Sequence, residues 1–156
     1  MAKQIKLYLD TSVWNFALET ERSGSALTSE FLELLQSHEY IVIISDVVQA
    51  EILAAPELRK NQLKELIDLI NAEIVVSEKE AENLASIYVN EGLIPEKYYD
   101  DALHIAIATV NRCNFIVSWN FQHIVRAKVI MGVHNINHRE GYGLIEIVSP
   151  QPFLGK

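Results

Sequence analysis

The chain has 156 residues, 49% of them hydrophobic, and carries 21 acidic residues against 13 lysines and arginines, a formal net charge of −8. That is enough apolar material for one domain with a substantial core, while the acidic balance works against non-specific adhesion to nucleic acid, which depends on Lys and Arg displacing counterions from phosphates. There is no run of eighteen apolar residues, no signal-peptide core and no partner for the single Cys113, so a soluble cytoplasmic protein with no membrane association and no redox chemistry is expected.

Ile5, Leu7 and Leu9 alternate with Lys6 and Tyr8 as in a strand, and Asp10 falls at that strand's carboxyl end. In open α/β sheets, ligands bind in the crevice beyond the carboxyl ends of the strands. Asp10 therefore suits either an active-site acid or a helix cap, with Thr11 and Ser12 as the other candidate caps. Leu27, Phe31, Leu34 and Leu35 recur at helical spacing within Ser25 to Ser37. Tyr40 to Ile44, YIVII, suits a buried parallel strand. Ser45 and Asp46 then offer a cap for a helix over Val47 to Ala55, stopped by Pro56.

Glu57 to Asn71 continues helically and Glu73 to Val76 makes a third strand. Ser77 with Glu80 matches a capping box, opening a helix that runs to about Asn90 and closes at Gly92. Pro95 to Tyr99 reads as a loop or an irregular first turn, before Asp100 or Asp101 begins an apolar helix, Ala102 to Val110. Phe115 to Ser118 is a fourth strand, Phe121 to about Arg139 reads as mostly helical, Gly141 and Gly143 make a turn, and Leu144 to Val148 is the last strand. This alternation predicts an α/β fold, a three-layer α/β/α sandwich around a mostly parallel sheet of four to five strands, in a single domain over residues 1–156.

Three acids draw attention. Asp10 is the first. Glu51 lies beside Val48 and Ile52, so its charge interrupts the face that should enter the core; either it has a partner or that side of the helix is exposed. In DALHIAIATV, apolar almost all round, Asp101 and its neighbours Asp100 and His104 are the ionisable positions near the start, and one acid could serve only to cap. Asn120 follows the strand FIVS as Asp10 follows the first strand, where its amide can hold a water or phosphate oxygen or simply form a turn.

Two unit charges about 5 Å apart repel by roughly 3 kcal/mol at an effective dielectric near 20, so three such pairs approach about 10 kcal/mol. A domain stable by about 5 to 15 kcal/mol could hardly carry that uncompensated. If Asp10, Glu51 and Asp101 meet, a divalent cation or protons must sit among them, and oxygen ligands favour Mg²⁺ or Mn²⁺ over zinc. No HExxH or CxxC occurs; His104 reads as a core or hydrogen-bonding group, and His134 and His138 as surface residues. Trp14, Phe16, Trp119 and Phe121 flank these acids and either stack bases or pack in the core. Lys3, Lys6, Arg126, Lys128 and Arg139 are the candidate cations for local contact with a phosphate.

Taken in order, LYLDTSVWNF, SDVVQAEIL, DDALHIAIAT and FIVSWNFQHI resemble the PIN domain family, the metal-dependent ribonuclease fold that includes VapC-type toxins, and the resemblance covers residues 4 to 149. It implies that Asp10, Glu51 and Asp101 are the site acids, with Asp100 as an auxiliary neighbour, Ser12 and Ser118 as supporting hydroxyls, and Asn120 where many members have a further acid. It further implies Mg²⁺ or Mn²⁺ held by Asp10 and Asp101, with Glu51 ligating directly or through water, and in-line attack of water on single-stranded RNA that leaves a 5′-phosphate and a 3′-hydroxyl. A small antitoxin and a homodimeric partner copy are expected on the same ground. Two other functions compete. One is a PIN fold that binds RNA or protein without cutting, encouraged by Asn120 and the acidic surface; the other is a phosphoacceptor or haloacid-type domain using Asp10 as nucleophile, against which the second acid expected two residues later is Ser12.

Overall fold

The computed structural model describes residues 4–155, so Lys3 lies outside the described residues. Strands β1 (Ile5–Leu9), β2 (Tyr40–Ser45), β3 (Glu73–Val75), β4 (Phe115–Val117) and β5 (Glu146–Val148) form one sheet in the order β3-β2-β1-β4-β5. Every pairing is parallel, with Leu7 opposite Val42 on one side and Phe115 on the other. The helices are α1 (Thr11–Leu18), α2 (Ser25–Leu35), α3 (Asp46–Leu53), α4 (Glu57–Ile70), α5 (Lys79–Asn90), α6 (Tyr99–Val110) and α7 (Ala127–Arg139).

From β1 the chain steps outward through β2 to β3, then returns across β1 to β4 and β5. Right-handed crossovers then put α1 to α4 on one face and α5 to α7 on the other. Packing agrees: α1 lies against α2, α3 and α4, while α5 packs on α6 and is bonded to α7 through the Tyr88 hydroxyl and Asn137. Leu7, Leu9, Ile43, Ile44, Ile116 and Val117 are buried between the layers, and α6 is buried from Ala102 to Thr109, as its all-round apolar sequence requires. The strand order reverses between β1 and β4, so the crevice beyond their carboxyl ends is the topological switch point.

Where elements depart from sequence expectation, side chains found distant partners. The Ser77–Glu80 capping box does not form: the backbone N–H and hydroxyl of Ser77 donate to Asp46 at 2.9 and 3.0 Å, Glu80 accepts from the Tyr142 hydroxyl at 2.8 Å, and α5 begins after Glu78 without a side-chain cap. Helix α7 begins at Ala127, because Asn120 first closes a turn: its Oδ1 accepts the His123 N–H and its carbonyl accepts from Ile124 and Val125. Glu96–Tyr98 form a short 3-10 turn before α6, Gln151–Leu154 form another near the end of the chain, and β5 starts at Glu146.

Candidate active site beyond β1, β2 and β4

Asp10, not Thr11 or Ser12, caps α1. Its Oδ1 accepts the Ser12 N–H at 3.1 Å and the Ser12 hydroxyl at 2.5 Å, and its Oδ2 accepts the Ser118 hydroxyl at 2.5 Å from across the switch point. Only 4% of the residue is exposed. Burial pushes its carboxyl above the usual range, and the charge of His104 and the bonds from Ser118 and Ser12 offset this only in part. The two serines also fix the loop after β4, with Ser12 Oγ accepting the Trp119 N–H and Ser118 Oγ accepting the Asn120 N–H, both at 2.9 Å.

Glu51 has the partner that its interrupted apolar face called for. Its Oε1 lies 2.8 Å from Nε2 of His104 and accepts the Thr11 hydroxyl at 2.9 Å. The imidazole is buried, and its Nδ1 lies 2.7 Å from the hydroxyl of Tyr8, itself 2.7 Å from Oγ of Ser45, the residue that caps α3. A relay of hydrogen bonds, buried as far as His104, thus runs from the end of β2 through β1 and α6 to Glu51, whose side chain is 39% exposed. Burial works against charge on Glu51, yet the bond and charge of His104 and the Thr11 bond bring its carboxyl below the usual range. Burial likewise opposes protonation of His104, but the Glu51 bond and the charges of Asp10, Glu51 and Asp101 hold its pKa above the ordinary value.

Asp101 is half-buried in the first turn of α6, while its neighbour Asp100 is exposed. Burial raises the Asp101 carboxyl, the charges of His104 and His123 and a bond from Asn120 partly offset this, and Asp10 raises it further. Asn120 therefore acts on two groups: its Oδ1 accepts the His123 N–H at 2.9 Å, and its side chain helps to lower the Asp101 carboxyl. His123 was not visible as a site residue in the sequence. It is buried, its ring stacks on Tyr98 with centroids 3.9 Å apart, and its Nε2 has no hydrogen-bond partner among the described residues. The only local signal is its place three residues after Asn120 in NFQH.

Asp10, Glu51 and Asp101 thus share one edge of the sheet, and all three act on the imidazole of His104. They do not form a single ring of ligands: among the described residues, no three His, Cys, Asp or Glu side chains are grouped so that they could hold a metal ion. The reason is local, since Glu51 faces His104 and Thr11 while Asp10 faces the serines. Charge compensation was expected from a cation or from protons; the structure adds a buried imidazole between the acids.

The aromatic and basic candidates also separate. Trp14 is wholly buried and Phe16 nearly so, whereas Phe121 is exposed. Lys6 donates to the carbonyl of Asn111, and Arg139 pairs with Glu91 and Glu140, both far along the fold from the acids; Arg126 and Lys128 are exposed at the start of α7. Nε2 of His134 donates to the carbonyl of Ile145 at 2.9 Å and lies 3.4 Å from Glu146, away from the site. A cavity of about 720 Å³ lined by Arg112, Cys113, Asn114 and Tyr142 opens at the amino ends of β4 and β5, the opposite side of the sheet, so concavity does not mark the acid edge.

The fold is similar to a chain of DNA-bound VapBC from Salmonella typhimurium, with a TM-score of 0.59 and 16% identity over 94% of this chain and 99% of that one. It is also similar to VapBC2 from Rickettsia felis bound to a promoter DNA fragment, with a TM-score of 0.56, 17% identity, and 93% and 98% coverage. Mycobacterium tuberculosis VapC20, a toxin that cleaves the sarcin–ricin loop, gives a TM-score of 0.56 and 12% identity over 75% of this chain and 92% of that one. No curated protein sequence matches the chain. The PIN domain model matches residues 7–124, the stretch that carries Asp10, Glu51, Asp101, Asn120 and the strands that bring them to one edge, and the chain belongs to the PIN domain family.

Proposed function

We propose that the protein is a divalent-metal-dependent endoribonuclease that hydrolyses single-stranded RNA, the toxin of a toxin–antitoxin pair, with residues 1–156 as one nuclease domain working in the cytoplasm as a homodimer. The observation that carries this reading is the pair Asp10 and Asp101: two carboxylates withdrawn from water and raised by burial, the second raised further by the first, at the switch point of a parallel sheet. The donor chemistry fits a hard cation, because the groups are carboxylate oxygens and their bonded partners are hydroxyls and an amide, not ammonium or guanidinium groups.

Asp10 and Asp101 would hold Mg²⁺ or Mn²⁺, with Glu51 joining directly or through water. Such an ion supplies Lewis acidity toward a phosphodiester and lowers the pKa of an attacking water. The chain's own residues do the positioning: Ser12 and Ser118 orient the Asp10 carboxylate, Asn120 orients Asp101, and His104 with Thr11 orients Glu51. In-line attack at phosphorus leaves a 5′-phosphate and a 3′-hydroxyl. A small antitoxin as partner is supported by the VapBC complexes among the similar folds.

The test is purified protein with an unstructured RNA and Mn²⁺ or Mg²⁺. Cleavage giving 5′-phosphate ends, lost in Asp10→Asn, supports the nuclease; absence of cleavage under either metal sinks it. A non-cutting RNA- or protein-binding module is the second reading, favoured by the neutral amide of Asn120 and by the lack of a three-ligand group among the described residues. The toxin role is tested by inducing the chain alone in a bacterium, where unaffected growth would count against it.

A further inference from the structure

The turn that brings Asn120 to Asp101 also carries a row of aromatic rings to the rim of the site. Trp119 is held rigidly: its backbone N–H donates to Ser12 Oγ at 2.9 Å, its indole N–H donates to Thr28 Oγ1 at 2.8 Å, and its ring lies flat on Phe16, with centroids 5.1 Å apart and planes 8° from parallel. Gly24, at φ +96°, backs the indole so closely that a Cβ there would stand 3.3 Å from it. Phe121 meets this fixed indole at 89° with centroids 5.8 Å apart, and the residue is 53% exposed. At the other end of the row, the Arg22 guanidinium stands 4.0 Å over the ring of Phe16. The serine that holds Trp119 also bonds Asp10, and Asn120 lies between Trp119 and Phe121 in the chain.

A chain of net charge −8 offers few cations to a polyanion: Lys6 and Arg139 are engaged elsewhere, which leaves Arg126 and Lys128 exposed at the start of α7. Stacking does not depend on the sign of the surface, because every base has a π-face, and one stacked base contributes roughly five- to hundredfold in affinity. We infer that Phe121, backed by Trp119, is a stacking subsite for an unpaired nucleobase of the strand whose phosphate reaches Asp10 and Asp101. The inference rests on the ribonuclease reading and adds to it a physical source of preference for single strands, since bases within a duplex have their faces covered by neighbouring pairs. Arg22, at the far end of the row, is itself paired with Glu19 at 2.8 Å.

The test separates the two claims by measuring binding apart from cleavage. The Asp10→Asn protein, which leaves the strand intact, is titrated with a short fluorescein-labelled oligoadenylate and anisotropy is read. Adding Phe121→Ala should weaken binding five- to hundredfold, Phe121→Trp should preserve it, and an abasic position at the stacked nucleotide should remove the difference between Phe and Ala. Thermal melts of the Phe121 variants should match the parent, since the ring contributes little to the core. Absence of parental binding, equal binding by the Ala variant, or an equal loss on the abasic strand overturns the subsite and leaves Phe121 to a protein partner. Cleavage by the unmutated chain would uphold the nuclease in that case; conversely, Phe121-dependent binding without any cleavage would sink the nuclease and leave the subsite standing.

Discussion

Asp10→Asn should make the protein more stable and less active at once. The carboxylate is 4% exposed and accepts three hydrogen bonds, from the N–H and hydroxyl of Ser12 and the hydroxyl of Ser118. Burying an ion costs several kcal/mol even after relaxation. Bonds to a charged acceptor contribute about 1.5 to 3 kcal/mol against about 0.5 to 1.5 for neutral ones, so weakening three of them forfeits about 3 kcal/mol. The amide can keep both Ser12 bonds on its oxygen and donate to Ser118, whose hydroxyl rotates to suit. Because the folded carboxyl is raised, burial outweighs the bonds, and Asn should gain on the order of 1 kcal/mol near pH 7, a Tm rise of about 2 to 4 °C for a chain of this size. A carboxyl raised in the folded state contributes stability that is fully present below its unfolded pKa and lost as pH rises through its folded pKa; Asp101 has the same sign. The advantage of Asn should therefore vanish as the buffer is acidified through the carboxylate range. Melts of both proteins in EDTA at stepped pH check this, and added Mg²⁺ should then raise only the unmutated protein. A variant that melts below the parent in EDTA near pH 7 would refute the reasoning and leave Asp10 as a structural cap.

Glu51→Ala leaves a buried ring nitrogen of His104 without its partner, which should cost about 1 to 3 kcal/mol in urea melts, while Glu51→Gln keeps an acceptor and recovers most of it. Tyr8→Phe removes the hydroxyl between Ser45 and His104, both buried, and should cost a similar roughly 1 to 3 kcal/mol although no ligand-facing group is touched; an unchanged midpoint would show the relay to be idle. Burial pushes the Cys113 thiol up to about 12, so it should resist a thiol-reactive disulfide reagent at neutral pH and react fully once denaturant unfolds the chain; rapid reaction in native buffer would contradict its burial.

What could be read in advance was what local patterning controls. The β-branched run YIVII, the all-round apolar helix from Ala102 and the alternation of strands with helices are each set by neighbours a few residues away, and they place Asp10, Glu51 and Asp101 at one edge before any contact is known. What stayed hidden depends on pairs distant in the chain. Tyr8 looked like the outward residue of an alternating strand, but a central parallel strand is covered on both faces, so Tyr8 is wholly buried and its hydroxyl becomes a link between Ser45 and His104. Ser77 was free to cap its own helix until Asp46 lay closer, 31 residues away. His123 carried no pattern at all, because its burial follows from the turn that Asn120 makes after β4.

Three acids brought to one edge need compensation, and its source is not visible in their spacing along the chain. Repulsion depends on where charges end up, and the same helix that supplies Asp101 supplies, three residues on and one turn deeper, the imidazole that faces Asp10, Glu51 and Asp101. An i, i+3 Asp–His pair on a buried helix thus does two things: it delivers an acid to the rim and a partner for Glu51 to the interior. Where the acids gather, their charges favour the proton on His104, and the bond from the imidazole in turn holds the Glu51 carboxyl below its usual range.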